Sequence, residues 1–382
     1  MIEIKGDYSC AKIFTAVNTD TAIEQHAVAQ IKMLCDNPVS EGSMIRVMPD
    51  VHPGTVCTIG LTMTVGERIM PGLIGVDIGC GVSMVRLEKA RMDYQKLDKV
   101  ISAGIPAGME IREKPLPAAD GYDLSDLICI SHVMRDRAIL SLGTLGGGNH
   151  FIEADKDDEG NHYLAVHSGS RHLGKEVTEH YMRLGQEALK DKGEDVPYSL
   201  TYLEGRLMEE YLQDISIVTR YARKNRELIL KEIMKGMKWK GGEILSVCHN
   251  YISEQDGGLI LRKGAISARK DEPVIIPVNM KDGIILGRGL GNTEWNCSAP
   301  HGAGRLMKRE DVRQSHTVSE YRASMKGVYS TCISRETLDE APFAYRGMAE
   351  IADAIKDTAE IDSMLTPLYS YKAGNGNDGR TR

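Results

Sequence analysis

The sequence predicts an α+β fold built as one large domain, on three observations. Val47 to Leu87 and residues 244–291 are rich in glycine and β-branched residues, which reads as short strands joined by tight loops. Between them, Leu200 to Met237 carries Leu203, Leu207, Tyr211 and Ile215 at helical spacing. The polar residues that could carry chemistry run from Asp50 to Lys372 with no linker between them, so one site would draw on nearly the whole chain. Residues 1–372 are therefore expected to form one unit. The Gly-, Asn- and Asp-rich stretch 373–382 is expected to be a disordered tail.

Each element has its own warrant. Residues 21–36 read as an amphipathic helix, with Thr21 and Glu24 as a capping box, Ile23, Ala27, Ile31 and Leu34 on one face, and Asn37-Pro38 as the stop. The long helical segment 200–237 is expected to break once. Arg220, Arg223 and Lys224 on it read as a solvated face rather than a nucleic-acid track. The apolar runs Tyr163 to Val166 and Ile244 to Cys248 read as strands, each followed by a histidine.

Composition bounds the function. A chain with 42% hydrophobic and 26% charged residues is an ordinary globular protein, and with 5% aromatics its core must be filled by aliphatic residues and 19 methionines. No apolar run approaches the roughly 20 residues of a membrane helix, and Met1 to Asp7 lacks the basic-then-apolar pattern of a signal peptide. A cytoplasmic protein is expected. None of the 8 cysteines forms a CxxC pair, which argues against zinc ribbons and thioredoxin-like chemistry and leaves buried thiols or lone metal ligands. The net charge of −7 argues weakly against a nucleic-acid partner, since such a partner needs a basic surface. A local basic groove remains open, with Arg171, Arg262, Lys263, Arg269, Arg288 and Arg305 as its candidates.

Three groups of residues could do chemistry. Asp77 and Cys80 in a glycine-rich loop, His150 after Gly146-Gly147-Gly148, and His167 and His249 at strand ends make a mixed thiolate, carboxylate and imidazole set. Such a set suits a borderline divalent ion such as Mn²⁺, Zn²⁺ or Co²⁺ better than Ca²⁺. Taken singly, any of the 11 histidines is more often a hydrogen-bonded structural residue than a ligand. Secondly, His301 is flanked by small residues in Pro300-His301-Gly302-Ala303-Gly304-Arg305, which leaves room for a phosphoryl group at a nucleophilic imidazole, with Arg305 to pair the phosphate. A glycine-rich turn around a buried histidine explains the same string equally well. Thirdly, Asp50-Val51-His52-Pro53-Gly54 and Gly169-Ser170-Arg171 are polar turns whose amides could cradle phosphate, although an ordinary turn is the simpler reading. Gly287-Arg288-Gly289-Leu290-Gly291 is a weak nucleotide signal, because no helix clearly follows it.

Taken together, the strings MPDVHPG (48–54), GVDIGCG (75–81), LGTLGGGNHFIE (142–153), HSGSRHLG (167–174), CHNY (248–251), RKGAISA (262–268), RGLGN (288–292), HGAGR (301–305) and DEAPFAYR (339–346), with Lys372 near the end, resemble the RtcB family of RNA ligases in the family's order and over essentially the whole chain. The resemblance implies a single compact domain with central antiparallel β-sheets surrounded by helices. It implies joining of an RNA 3′-phosphate or 2′,3′-cyclic phosphate end to a 5′-hydroxyl end, with GTP and two Mn²⁺ ions and without a membrane. By resemblance, Asp77, Cys80, His150, His167 and His249 are metal ligands, with Cys80 shared between the ions. His301 would carry GMP, Asn149, Phe151, Glu153, Arg305, Tyr345 and Lys372 would line the guanylate pocket, and Asp50 would stand near the nucleophile.

The chain departs from the family pattern in one segment. Val278, Asn279, Lys281 and Ile284 stand where glycines and serines are usual, and Thr55 and Val56 where Lys and Gly are usual. A Gly-to-Val change disfavours positive φ, so a reshaped loop and weaker or less base-selective charging by GTP are expected. The competing readings are a metal-dependent cyclic phosphodiesterase that does not ligate and a non-catalytic RNA-end binding protein.

Overall fold

The computed structural model describes residues 1–15 and 23–373. Two sheets carry the α+β architecture. The first has six strands, in spatial order Ile2–Lys5, Cys10–Ile13, Met44–His52, Ile59–Val65, Gly258–Lys263 and Asn250–Gln255. Its neighbours run antiparallel except Cys10–Ile13 against Met44–Val47. The second has seven strands, antiparallel throughout, in the order Lys240–Cys248, Gly81–Glu88, His162–Ser168, Phe151–Lys156, Ala359–Lys372, Gly283–Gly289 and Pro273–Asn279. Antiparallel pairing lets one face of each strand enter a core while the other meets a second layer. Helices cover these faces, so the expected fold class holds.

Local chemistry explains where elements start and stop. The first helix covers Gln25–Cys35, with Ala27, Ile31 and Leu34 buried as the stripe requires. Ile23 packs into the same apolar cluster, while the Thr21 half of the expected capping box lies outside the described residues. The long helix runs unbroken over 33 residues, Gly205–Met237, which corrects the expected break. No proline lies in this span, and its glycines fall at positions 205 and 236, so nothing interrupts the ladder. Leu203 belongs instead to a short strand, Leu203–Glu204, paired with Arg68–Ile69. Arg220 and Arg223 are exposed as expected, but Asn225 and Arg226 are buried.

The fold positions a site by bringing strand ends together. In the seven-stranded sheet, Gly81 pairs with Ser168 and Cys248, and Phe151 pairs with His167 and Lys372. Cys80, His150, His167, His249 and Lys372 therefore sit at one end of five adjacent strand segments. The short strand Ser298–Pro300, paired with Ala265–Ser267, delivers His301 to the same place. At position 79 the backbone has φ of +74° and passes so close to the long helix that a Cβ would lie 2.7 Å from the Ala222 Cβ, so only glycine allows the Cys80 turn.

Among the described residues with no eligible hydrogen-bond partner is the Tyr211 hydroxyl, which is fully buried on the long helix. The neighbouring Tyr181 hydroxyl donates to Asp214 Oδ2 at 2.8 Å. Removing an unsatisfied buried hydroxyl removes a desolvation cost, whereas removing a satisfied one orphans its acceptor. Tyr211→Phe is expected to raise stability by about 1 kcal/mol and Tyr181→Phe to lower it by at least about 1 kcal/mol. Urea unfolding midpoints check the opposite signs, and equal losses in both variants would contradict this account.

Candidate metal centre and anion cleft

Cys80 Sγ lies 3.3 Å from His167 Nε2 and 3.5 Å from His150 Nε2, and His167 Nε2 lies 3.0 Å from His249 Nε2. All four residues are buried. His150 Nδ1 is 2.8 Å from the Leu145 carbonyl, and His167 Nδ1 is 3.2 Å from the Asn149 carbonyl. A carbonyl only accepts, so both Nδ1 atoms carry the proton and both Nε2 lone pairs face Cys80. Among the described residues, the ligand atoms of Cys80, His167 and His249 all lie within 4.8 Å of one another and could hold a metal ion. Burial pushes the His150 imidazole down to about 4, and burial with neighbouring histidines holds His167 and His249 well below the ordinary imidazole range. Burial and the nearby Asp77 carboxylate push the Cys80 thiol up. At neutral pH the set is three neutral imidazoles and one thiol, which fits a cation able to displace the thiol proton.

Asp77 does not join this tight cluster. It is exposed and faces an adjoining larger cavity, acting on Cys80 and His150 through its charge. The long helix braces the ligand loops. Asn225 accepts from the Gly143 and Thr144 amides and donates to Gly169 O, while Arg226 donates to Gly79 O at 2.7 Å and Ser168 O at 2.9 Å.

His301 stands beside the cluster, its ring 4.6 Å from that of His249. Its Nδ1 is 2.6 Å from Asp50 Oδ2, and its amide donates to the same oxygen at 3.2 Å. Asp50 is fully buried, so this carboxylate fixes the ring and its tautomer and leaves His301 Nε2 as the free nitrogen.

A cleft opens beyond His301, lined by Asn149, Phe151, Glu153, Arg305, Tyr345 and Lys372 together with Pro277 to Met280 and His52. Glu340 organises its cationic wall. It accepts from Lys372 Nζ at 2.6 Å, Arg309 at 2.6 Å and the Tyr345 hydroxyl at 2.7 Å, with Arg305 at 3.4 Å. Burial alone would raise the Glu340 carboxyl, but Lys372, Arg309 and Arg305 overcome it and hold it down to about 2. Glu340 and Arg309 were missed by sequence reasoning. The signal for Glu340 was an acid inside the DEAPFAYR string, whereas Arg309 lies outside every matched string.

The departing segment forms a hairpin around the end of Pro273–Asn279. Neither Val278 nor Lys281 has positive φ, so the missing glycines leave no backbone strain. Asn279 Oδ1 accepts from the amides of Lys281 and Asp282, each at 2.9 Å, which closes its own turn. Lys281 donates to the Lys326 carbonyl and does not line the cleft. Val278 and Asn279 do line it, while Ile284 is buried in an apolar cluster with Phe151. Thr55 and Val56 line the adjoining cavity.

Of the six basic residues expected around a groove, Lys263 and Arg305 face the cavities. Arg262 is fully buried and bonded to Ser298, Ser253 and Gln255. Arg171 donates inward to Gly108 O, Arg269 bonds Glu254 O, and Arg288 pairs with Asp362. Lys308 and Arg309 take their places beside Lys263 and Arg305.

These features describe an α+β protein with a candidate metal centre facing a cleft lined by Arg305, Arg309 and Lys372. The chain belongs to the tRNA-splicing ligase RtcB family, whose model matches residues 30–128 and 117–373. It is similar to the RNA-splicing ligase RtcB of Escherichia coli K12, with 29% identity over 86% of this chain and 90% of that protein. A second Escherichia coli strain has an RNA-splicing ligase RtcB2 that is 28% identical over 96% of this chain and 97% of its own length. The tRNA-splicing ligase RtcB of Aeropyrum pernix is 28% identical over 80% of this chain and 82% of its own length. No helix among the described residues is long and apolar enough to cross a membrane.

Because the imidazoles are neutral and the thiol protonated at neutral pH, metal uptake is expected to release about one proton per cysteine-ligated centre. Calorimetry of Mn²⁺ or Co²⁺ binding near pH 7 in buffers of different ionisation enthalpy measures this. Cys80→Ser should abolish the thiolate-to-Co²⁺ charge-transfer band, and binding without proton release would show that Cys80 is not a ligand.

Proposed function

We propose that this chain joins RNA ends, linking a 3′-phosphate or 2′,3′-cyclic phosphate to a 5′-hydroxyl in tRNA splicing or RNA repair, with GTP as the energy source and His301 as the covalent carrier of GMP. One observation carries the reading: a histidine held through Nδ1 by a buried carboxylate, its Nε2 free, beside a Cys/His cluster and a cationic cleft. Residues 1–372 would act as one catalytic domain in the cytoplasm.

The protein's groups suit the chemistry. Asp50 holds the Nδ1 proton of His301, so that the neutral ring presents its Nε2 lone pair, and stabilises the charge that develops on the ring as Nε2 attacks the α-phosphorus. A nitrogen–phosphorus bond forms and pyrophosphate leaves. Arg305, Arg309 and Lys372 neutralise charge on the phosphoryl oxygens. Transfer of GMP to the RNA 3′-phosphate makes an anhydride, which the 5′-hydroxyl opens with release of GMP; a cyclic phosphate is first opened by water. Cys80, His167 and His249 would hold Mn²⁺, with His150 and Asp77 as the further residues that would hold a second ion. Such ions supply Lewis-acid neutralisation of phosphoryl charge. Asn149, Phe151, Glu153 and Tyr345 would enclose the nucleoside.

GTP labelled at the α-phosphate, incubated with the protein and Mn²⁺, should leave acid-labile, base-stable label on the denatured protein. Mass spectrometry should place GMP on His301. Label persisting in His301→Ala, or no label on the wild type, would overturn the assignment. Cyclic-phosphate opening with no label would point to the phosphodiesterase instead.

RNA binding should be salt-dependent despite the net charge of −7. Lys263, Arg305, Lys308 and Arg309 line the adjoining cavity, but Glu24, Glu179 and Glu310 do too. A slope of log affinity against log salt between about −1 and −3 is expected for single-stranded ends. Lys308→Ala should reduce its magnitude by roughly 0.7. A flat salt dependence would remove the cavity as the RNA track.

A further inference from the structure

The cleft assigned above to the nucleotide is backed by two carboxyls rather than one. Glu153 lines the cleft, and Asp155 follows two residues later in the strand Phe151–Lys156. Alternate residues of a strand share a face, so Phe151, Glu153 and Asp155 point one way while Ile152 and Ala154 enter the apolar cluster on the other. Glu153 lies roughly 7 Å further along this strand than Phe151, whose ring is 5.4 Å from His167. It is therefore set back from the phosphate chemistry, where a base would lie.

Asp155 is fully buried and Glu153 nearly so. Neither Asp155 oxygen meets a donor among the described residues, and the group it does meet is the Glu153 carboxyl. Two carboxyls in contact and away from water cannot both ionise, so a proton is held between them. The surroundings offer little relief. On one flanking strand, Ala165 lies opposite Glu153 and Tyr163 opposite Asp155, but the Tyr163 hydroxyl donates to Asp157 at 3.0 Å. On the other flank, Ser370 lies opposite Glu153 and its side chain draws that carboxyl down against the burial, while Pro367, opposite Asp155, offers nothing. Lys372 is the cation that acts on Glu153, and its ammonium is bonded to Glu340. The packed layer contributes the apolar residues Ile275, Ile284 and Leu365. Burial pushes Glu153 up to about 7, and burial with the neighbouring Glu153 charge holds Asp155 well above the usual carboxylate range.

We propose that Glu153 and Asp155 act as one proton-sharing pair that sets which purine the cleft accepts, an inference that rests on reading the cleft as a nucleotide site. An ionised Glu153 accepts two hydrogen bonds, which matches the adjacent ring N–H and amino group of guanine. A protonated Glu153 donates one and accepts one, which matches the ring nitrogen and amino group of adenine. Asp155 keeps a proton within reach of Glu153, so base choice shifts with pH: guanine is favoured as pH rises and adenine gains as it falls. Asp155 is a positioning residue here, acting through Glu153. The departing segment does not take over base selection, since Asn279 is used within its own turn and Ile284 is apolar.

The test measures labelling of His301 by α-labelled GTP and ATP between about pH 6 and about pH 8.5, on either side of the Glu153 titration. The ratio of the two nucleotides is read, so any common effect of pH on metal binding cancels. In the wild type the GTP-to-ATP ratio should fall roughly ten-fold on acidification across one pH unit near neutrality. Asp155→Asn keeps the shape, cannot hold the proton and can donate to an ionised Glu153, so its ratio should stay high and flat. A second readout needs no nucleotide. The raised carboxyls contribute stability below their unfolded values, near pH 4, and that contribution is lost as pH rises through neutrality. Asp155→Asn should therefore raise the thermal midpoint at alkaline pH more than at acid pH. If both proteins label His301 with the same pH-independent ratio, the pair does not select the base and this inference fails while the nucleotide reading stands. If neither nucleotide labels the protein at any pH, both fail.

Discussion

His167 Nε2 and His249 Nε2 stand 3.0 Å apart, with Cys80 Sγ 3.3 Å from the first. Imidazole lone pairs and a thiol do not gather in a buried space for their own stability, because each faces groups of like polarity away from water. The rest of the fold is arranged to hold them there. Three ligands sit at or beside paired strand ends, so the hydrogen-bond ladders fix their spacing: Phe151 opposite His167, Gly81 opposite Ser168 and Cys248. The long helix then pins the turns from behind through Asn225 and Arg226. Arg226 is a buried cation satisfied by carbonyls and hydroxyls, among them Gly79 O beside Cys80 and Ser168 O beside His167. It closes the polar groups of both turns and lowers the field against a thiolate at Cys80.

This architecture explains what could be read from the sequence. Strands and the helical stripe of Ile23, Ala27, Ile31 and Leu34 follow from periodicity, which is a local property. The candidate ligands were legible because each follows an apolar run or a glycine-rich turn, where side chains leave the core. Arg226 was not legible. On a helix rich in Arg and Lys, nothing local separates the one buried guanidinium from the exposed Arg223 three residues before it. Arg262 failed in the opposite direction. It opens the matched string RKGAISA and reads as a groove residue, yet it is fully buried between a strand and the Asn296 to Ser298 turn. Both depend on which elements meet in space: Arg226 is held by Gly79 O, 147 residues away, and Arg262 by Ser298, 36 residues away, and such contacts leave no local trace. Glycine logic also overreached at Val278 and Lys281: neither has positive φ, which the hairpin places at Gly283 instead, with Asn279 supplying the turn.

Charge is distributed so that an acidic protein presents a cationic cleft. Glu340 is buried, yet it remains ionised because Lys372, Arg309 and Arg305 surround it. Arg309 pairs also with the buried Asp339, which Arg313 shares, so four cations on two carboxylates leave a net positive wall, and the carboxylates keep them ordered when no anion is bound. A phosphate entering the cleft meets guanidinium and ammonium groups already oriented, so less reorganisation opposes its binding. A bare cluster of cations would repel itself and disperse into solvent.

The four buried acids around the cleft have different fates, and the difference follows from their neighbours. Asp50 meets an imidazole N–H and a backbone amide, and Glu340 meets three cations. Glu153 and Asp155 meet chiefly each other and an apolar layer. Burial disfavours charge in every case, so the partner decides: Glu340 is held as an anion by its cations, Asp50 orients the His301 ring through its hydrogen bonds, and the last two hold a proton between them. The carboxylate of the cationic wall is thus fixed in charge, and the Glu153–Asp155 pair is the one whose charge can change. Such a pair can act on the identity of what binds without disturbing the groups that react with it.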